Sequence, residues 1–310
     1  DMLDAYNWWE NDFFAPFAEQ RALFEKMDEA GMLAGLAGIY EHDLCRNLRE
    51  EVNIYTWRTP HYMLSTAQDY RPGYGGDQQH IWQATLAPDV HCFTTHPAGR
   101  RDETPNYWAG SGWLPRAAQY ENVAIVIYNA REHPGLYVTE TSDFTHAWLP
   151  RDQFDQVVEW DNWVFARHGE SYLGLRSQHA WTWQDAPGED RHREIIVPGR
   201  QNIYLCELGS REENGPFARF MSELVNAELR FGPLDVAFES PSQGLLEFGW
   251  EGPFRRHGHE VDLHDYPRYD NRYVEADFPA ERIVAKQDDM RLRLDWNDVE
   301  RKAKPPVPSL

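Results

Sequence analysis

The chain has 310 residues and a formal net charge of −21, from 51 acidic against 30 basic side chains. That length can bury a sizeable core. The acidic balance argues against nucleic acid as the main partner, because binding phosphates needs a basic surface.

Cys45, Cys92 and Cys206 are odd in number and lack metal-ligand spacing, so they read as small buried hydrophobes rather than a disulfide framework. No apolar run is long enough to span a membrane and no signal peptide is visible. The expectation is a soluble chain with no membrane partner and an open compartment. Because it opens at Asp1-Met-Leu-Asp, already inside a helical pattern, it reads as a piece of something longer.

Residues 1–50 are helical in pattern. Leu3, Tyr6, Trp9 and Phe13 recur at helical spacing, and Pro16 ends one helix and can open the next. Leu23, Phe24 and Met27 form the apolar face of that second helix, Gly31 is placed to cap it, and a weaker third pattern runs over 32–49. Helices this rich in aromatics need partners, so the segment is expected to be the C-terminal part of an upstream helical domain.

From Val52 the period changes to two. Strands are expected over 52–57, 62–68, 80–86, 90–95 and 123–128. A hairpin over 155–160 and 163–167 turns at Asp161-Asn162 and continues as a meander into 171–177. Further strands are expected over 194–197, 201–207, 234–239, 245–250, 281–286 and 291–296, interrupted by one amphipathic helix over 216–227. The expected class is mainly β: a large antiparallel β-sandwich over 51–300, preceded by the short helical segment and followed by an extended Pro-rich tail over 301–310.

The richest stretch for chemistry is 58–85. Asp69, Tyr70 and Arg71 close one strand against a loop that can bend at Gly73, Gly75 and Gly76, and Gln78, His80 and Trp82 alternate beyond it. His80 is the candidate acid–base group, with Gln78 and Gln79 beside it to position hydroxyls. Tyr70 next to Arg71 is a second candidate, because a cation favours phenolate; alternatively Asp69 holds Arg71 in a salt bridge. A well-bonded hairpin would account for the same residues. The loop over 94–112 is too long for a plain connection and carries His96, Asn106, Tyr107 and Trp108, with Arg116 opening the next strand. His146 lies between the aromatics Phe144 and Trp148.

No cofactor is predicted, and a divalent metal lacks a full motif. His257-Gly-His259 with His264 and Asp265 has ligand-like spacing, but Gly258 reads more naturally as a hairpin turn. Carboxylates such as Glu41 with Asp43, or Asp69 with Asp77, would satisfy a glycosidase pair, and nothing selects one.

A helical segment followed by a long antiparallel sandwich with a His-bearing strand and a Tyr/Trp/Asn loop resembles the heparinase II/III-like polysaccharide lyases. Where that family has a Gly-His-x-His-Ala-Asp-like strand, this sequence has Gly76-Asp-Gln-Gln-His80-Ile-Trp-Gln-Ala, with one histidine. The resemblance implies that residues 1–50 end an α/α toroid, and that a polysaccharide or oligosaccharide containing uronic acid is cleaved by β-elimination. It implies His80 or Tyr70 as base or acid, Arg71 or Asn106 against the carboxylate, and Trp82 or Trp108 stacked on a sugar. The helical domain, upstream or on a partner chain, would complete the cleft. Two other classes stand beside this one: a glycoside hydrolase using a carboxylate pair, and a non-catalytic carbohydrate-binding or structural sandwich.

Overall fold

The computed structural model describes residues 18–32, 52–75, 80–101, 106–109, 112–130 and 142–295. The chain divides into two units, Asp1–Glu50 and Glu51–Leu310. In the first, α1 (Ala18–Glu29) is followed by Gly31 at φ +68°, the left-handed conformation that a C-terminal cap uses. The helical pattern expected over 1–13, that expected over 32–49 apart from Met32, Cys45 and the 301–310 tail lie outside the described residues, as the toroid reading largely does.

The second unit is mainly antiparallel β-sheet with a few short helices. In chain order its elements begin with β1 (Asn53–Arg58), β2 (Met63–Gln68), β3 (Trp82–Ala87), β4 (Val90–Thr95), α2 (Asn106–Ala109), β5 (Arg116–Tyr120), β6 (Val123–Asn129) and β7 (Phe144–Trp148). Then come β8 (Gln156–Trp160), β9 (Trp163–His168), β10 (Ser171–Ser177), β11 (Thr182–Trp183), β12 (Glu194–Pro198) and β13 (Gln201–Ser210). Two helices, α3 (Arg211–Asn214) and α4 (Phe217–Asn226), precede β14 (Leu229–Phe231), β15 (Asp235–Ser240), β16 (Gly244–Gly249), β17 (Arg255–Arg256) and β18 (His259–Glu260). The last strands are β19 (Tyr269–Asp270), β20 (Val274–Ala276), β21 (Arg282–Gln287) and β22 (Met290–Asp295).

These strands form four sheets: β1-β2-β3-β4-β7-β12-β11, β5-β6-β13-β10-β9-β8, β14-β15-β16-β17-β18 and β19-β20-β21-β22. The turns follow residue chemistry. Asp161 at φ +52° and Gly169 at φ +56° make the two turns of the β8–β9–β10 meander, and His257 with Gly258, at φ +49° and +76°, makes the β17–β18 hairpin.

The six-stranded sheet is covered on both faces, which explains continuous apolar runs such as Val123-Ala-Ile-Val-Ile-Tyr128. One face, with Val126, Leu173, Tyr204 and Cys206, shares a core with Leu64, Trp82, Ala84 and Cys92 of the seven-stranded sheet. The other, with Ile125, Phe165, Ile203 and Leu205, packs on Phe220 and Leu224 of α4 and on Phe238 and Leu246 of β15 and β16. Each fully buried large side chain here contributes about 1.5–3 kcal/mol. Thr94 Oγ1 links Trp82 Nε1 at 2.7 Å with Tyr128 OH at 2.9 Å, a polar tie between the two sheets.

The seven-stranded sheet is alternating, as in β3, because its outward side chains Gln83 and Thr85 are only half-buried. Toward β4 and β7 the outward side chains Phe93, Thr95 and His146 are buried too, and Tyr107 and Trp108 pack against the Phe93 and His146 rings.

Glu207 of β13 is buried at 1% exposure among the residues facing α4 and β15, where Ser240 Oγ donates to it at 2.8 Å. Burial pushes its carboxyl up to about 7, against the serine hydrogen bonds that favour the charged form. Between the ordinary value of 4.5 and about 7 the folded chain therefore holds a proton that the unfolded chain has lost. Glu207 stabilises the fold fully below that window, and the contribution disappears as pH rises through it, by about 3 kcal/mol. Urea unfolding across this range should show Glu207→Gln with a flatter pH slope than the parent; identical slopes would contradict the assignment.

Candidate functional site

At the end of β4 the chain leaves the sheet at His96 and returns at Gly112, whose N–H donates to the His96 carbonyl at 2.7 Å. A Cβ at position 112 would lie 2.6 Å from His96 Nδ1 and 2.8 Å from the Pro97 carbonyl, so the closure requires glycine. The enclosed segment brings Arg101 and α2, with Tyr107 and Trp108, over the outward faces of β4, β7 and β12. Register places Thr95 opposite His146 and Trp148 opposite Glu194, so all four side chains share that covered face.

Glu194 is the centre of what they form. Its Oε1 accepts from Tyr107 OH at 2.5 Å and from His146 Nδ1 at 2.8 Å, and its Oε2 accepts from Arg101 Nη2. Arg101 also donates to Asp190 Oδ2 at 2.6 Å and to Tyr107 OH at 2.8 Å. Trp108 lies flat on His146, centroids 4.1 Å apart and planes 10° apart, while its indole N–H reaches Asp190 at 3.3 Å. His80 is exposed, bonded through Nε2 to the Trp108 carbonyl at 2.7 Å and packed on Phe93 at 4.3 Å.

The protonation states follow from burial and partners. Burial pushes the Glu194 carboxyl upward, but its bonds from His146, Tyr107 and Arg101 outweigh this and hold it below the ordinary range. Burial lowers His146 despite the carboxylate beside it, so the ring is neutral at pH 7. An ionised carboxylate only accepts, so Nδ1 carries the proton, and Nε2 accepts from the Thr95 hydroxyl at 2.6 Å. Burial and the Glu194 charge raise the Tyr107 phenol well above its usual range, which makes it a held proton donor rather than a phenolate base.

The other sequence candidates lie elsewhere. Tyr70 is 7% exposed and part of the core, and Arg71 is 5% exposed with its guanidinium over the Tyr74 ring. Their corner is a joint between sheets: Asp69 N bonds the Ala117 carbonyl, and Gly73 N bonds that of Leu114. Asp69 does not pair with Arg71 as one reading had it; Arg116 takes both its oxygens, at 2.8 and 3.0 Å, and anchors to the carbonyls of Gly249 and Gly252. Trp82, expected beside His80 on a ligand-facing surface, is 2% exposed in the inter-sheet core, because Ile81 and Trp82 are both drawn inward and break the alternation.

His96 is also buried. Its Nε2 faces the Ser142 carbonyl at 2.9 Å, and burial lowers it to about 4, so it wedges the base of the segment in neutral form. Asn106 opens α2, while Gln78 and Gln79, like Asp77, Glu41 and Asp43, lie outside the described residues. Of the candidates, the structure brings together Tyr107, Trp108, His146 and His80. Sequence reasoning assigned no site role to Asp190 or Glu194, and it held Arg101 only as half of the basic pair Arg100-Arg101 and Thr95 only as part of the 94–112 loop. The available signal was an acid opening the apolar run Glu194-Ile-Ile-Val197, on the face opposite Ile195 and Val197.

Among the described residues no group of three or more His, Cys, Asp or Glu could hold a metal ion, and none of their helices is long and apolar enough to cross a membrane. No protein-family model, no curated protein and no solved structure matches this chain.

Breaking a buried ion pair from one side costs about 3–5 kcal/mol, so Glu194→Ala should lose that much in urea unfolding at pH 7. Tyr107→Phe keeps the ring contacts and should lose only about 1–2 kcal/mol. A Glu194→Ala loss within about 0.5 kcal/mol, as for an ordinary surface change, would contradict the network.

Proposed function

We propose that the chain is the C-terminal part of a polysaccharide lyase that cleaves a uronic-acid-containing glycan by β-elimination. On this reading residues 51–300 are the large antiparallel β-sandwich of such an enzyme and residues 1–50 the end of its helical domain. One observation carries it. The turn that supplies Asp190 to the Arg101–Tyr107–His146–Glu194 network also lines a cleft of about 680 Å³ with Arg191, His192 and Arg193, joined there by Arg151. In a chain of net charge −21 the lining gathers three guanidiniums against the two carboxylates Asp152 and Glu189, and guanidiniums suit a sugar carboxylate.

Each guanidinium there already meets a carboxylate: Arg193 that of Asp152, Arg191 that of Asp185 at 3.0 Å and Arg151 that of Glu159 at 3.4 Å. All three pairs are substantially exposed, so a uronate can exchange into them at little cost. In the elimination a base takes the proton beside the carboxylate, its electrons form the new ring double bond, and the glycosidic C–O bond breaks. The departing oxygen then takes a proton. His80, exposed beside Trp108, is assigned the proton transfer, the cleft arginines stabilise the enolate charge, and Trp108 offers its ring to a neighbouring sugar. The buried Tyr107, His146 and Glu194 position that cover.

The test is incubation of the full chain with polyuronates, following the ultraviolet band of an unsaturated uronide beside affinity electrophoresis in the same glycans. The expected result is retardation that Arg191→Ala with Arg193→Ala abolishes, and a band that His80→Ala reduces about a hundredfold. Reducing ends without the band would replace the lyase with a hydrolase. Absence of both retardation and product would overturn the carbohydrate reading.

A further inference from the structure

The last sheet, β19-β20-β21-β22, is thinly covered. Of its strand residues only Ala276 is buried, whereas Met290, Leu292 and Leu294 of β22 are 65%, 57% and 40% exposed. Apolar side chains left in water along one strand mark a surface that receives a partner.

Among the described residues no strand lies beyond β22, so it is an open edge. Its register with β21 runs without a bulge from Arg282↔Asp295 to Gln287↔Met290, and it contains no proline to block pairing. The phase of its backbone follows from β21. Lys286, opposite Arg291, sends its N–H away from β22 to the Tyr273 carbonyl at 2.7 Å. That pair is therefore not hydrogen-bonded, and by the alternation of an antiparallel ladder Arg291, Arg293 and Asp295 turn their N–H and C=O groups to the open edge. Their side chains share one face of the strand, while Met290, Leu292 and Leu294 share the other.

Charge selects what can pair there, because the strand is complementary to itself. Two antiparallel registers keep five residues of each β22 paired with a second β22 and leave the leucines on one face. In one, Arg291 stands opposite the partner's Asp295 twice and Leu292 opposite the partner's Leu294 twice. Arg293 then meets its own copy on the two-fold axis, and each keeps its Asp295 at 2.9 Å. The other register sets Arg291 opposite Arg293 twice, which like-charge repulsion disfavours. The surroundings allow the approach as well: residues 268–295 carry six basic and seven acidic side chains, close to neutral in a chain of net charge −21.

We propose that two copies of this chain join β22 to β22, antiparallel about a two-fold axis in the Arg291–Asp295 register, into one eight-stranded sheet. The interface is isologous and small, so it makes a concentration-dependent dimer rather than an obligate one. It does not depend on the lyase reading.

Sedimentation equilibrium of the full chain over a wide range of concentration tests it, and the parent should pass from monomer to dimer. Arg291→Asp alone and Asp295→Arg alone each set like charges opposite one another twice and should weaken the dimer about tenfold. Mixing the two variants puts opposite charges at both positions and should restore it. Arg293→Pro removes an N–H that faces the open edge, so it leaves the sheet within one chain bonded and should abolish the dimer. Hydrogen exchange over 290–295 should slow as the dimer forms. A chain that stays monomeric, a dimer that both charge reversals leave intact, or a mixture no tighter than either variant alone would overturn the proposal. Slow exchange over 290–295 in the monomer would also overturn it, by assigning the edge to the chain's own residues.

Discussion

A carboxylate removed from water has to be surrounded by donors, and in this chain that requirement falls on Glu194. It sits at 0% exposure at the start of β12, and its three donors come from two other stretches of the chain: Arg101 and Tyr107 from the one between β4 and β5, and His146 from β7. Meeting one carboxylate's needs therefore fixes Arg101 and α2 onto the outward face of the seven-stranded sheet. It also seats Trp108 over His146 and presents Asp190 and the arginine turn beside them. Substituting any one partner leaves the others with unmet polar groups in a dry place, which is why the arrangement behaves as a unit.

Charge is distributed unevenly on this frame. The chain as a whole repels anions, yet the 188–193 turn gathers basic side chains whose carboxylate partners are exposed and exchangeable. A cleft at the β1–β2, β5–β6 and β15–β16 turns is the reverse, with Glu121 and Glu213 bonded by neutral donors. The basic cleft takes its 188–193 turn from between β11 and β12 of the seven-stranded sheet, while the other cleft lies where turns of three sheets meet.

Much of the sheet was legible in advance. Strands with one wet face, such as β2 and β3, show period two, and the Asp161, Gly169 and Gly258 turns announce themselves by residue type. β7 was not legible, because its Phe-Thr-His-Ala-Trp has both faces covered and no polar alternation, and β11, β14 and β17 to β20 are too short to leave a period. The candidate site was half legible. Tyr107, Trp108 and His146 stand out as aromatic and imidazole groups in unusual settings. Glu194 and Arg101 do not, since one acid among 51 and one arginine of an adjacent pair carry no local mark of burial. The 69–76 corner misled for the opposite reason. Its residue types suit a cleft, but left-handed Asp69 and Arg71 turn it into the seam where two sheets join. Residue type shows what a side chain can do, while the partner face decides whether it is free to do it.

The central claim is that Glu194 is an ionised acceptor whose partner His146 is neutral and protonated on Nδ1. Nitrogen-15 NMR of the imidazoles at pH 7 reads this directly, with His146→Gln identifying the resonance. The account predicts a neutral Nδ1–H tautomer for His146 at pH 7, with protonation only below the pH at which an ordinary imidazole titrates. An imidazolium, or the Nε2–H tautomer, would contradict it.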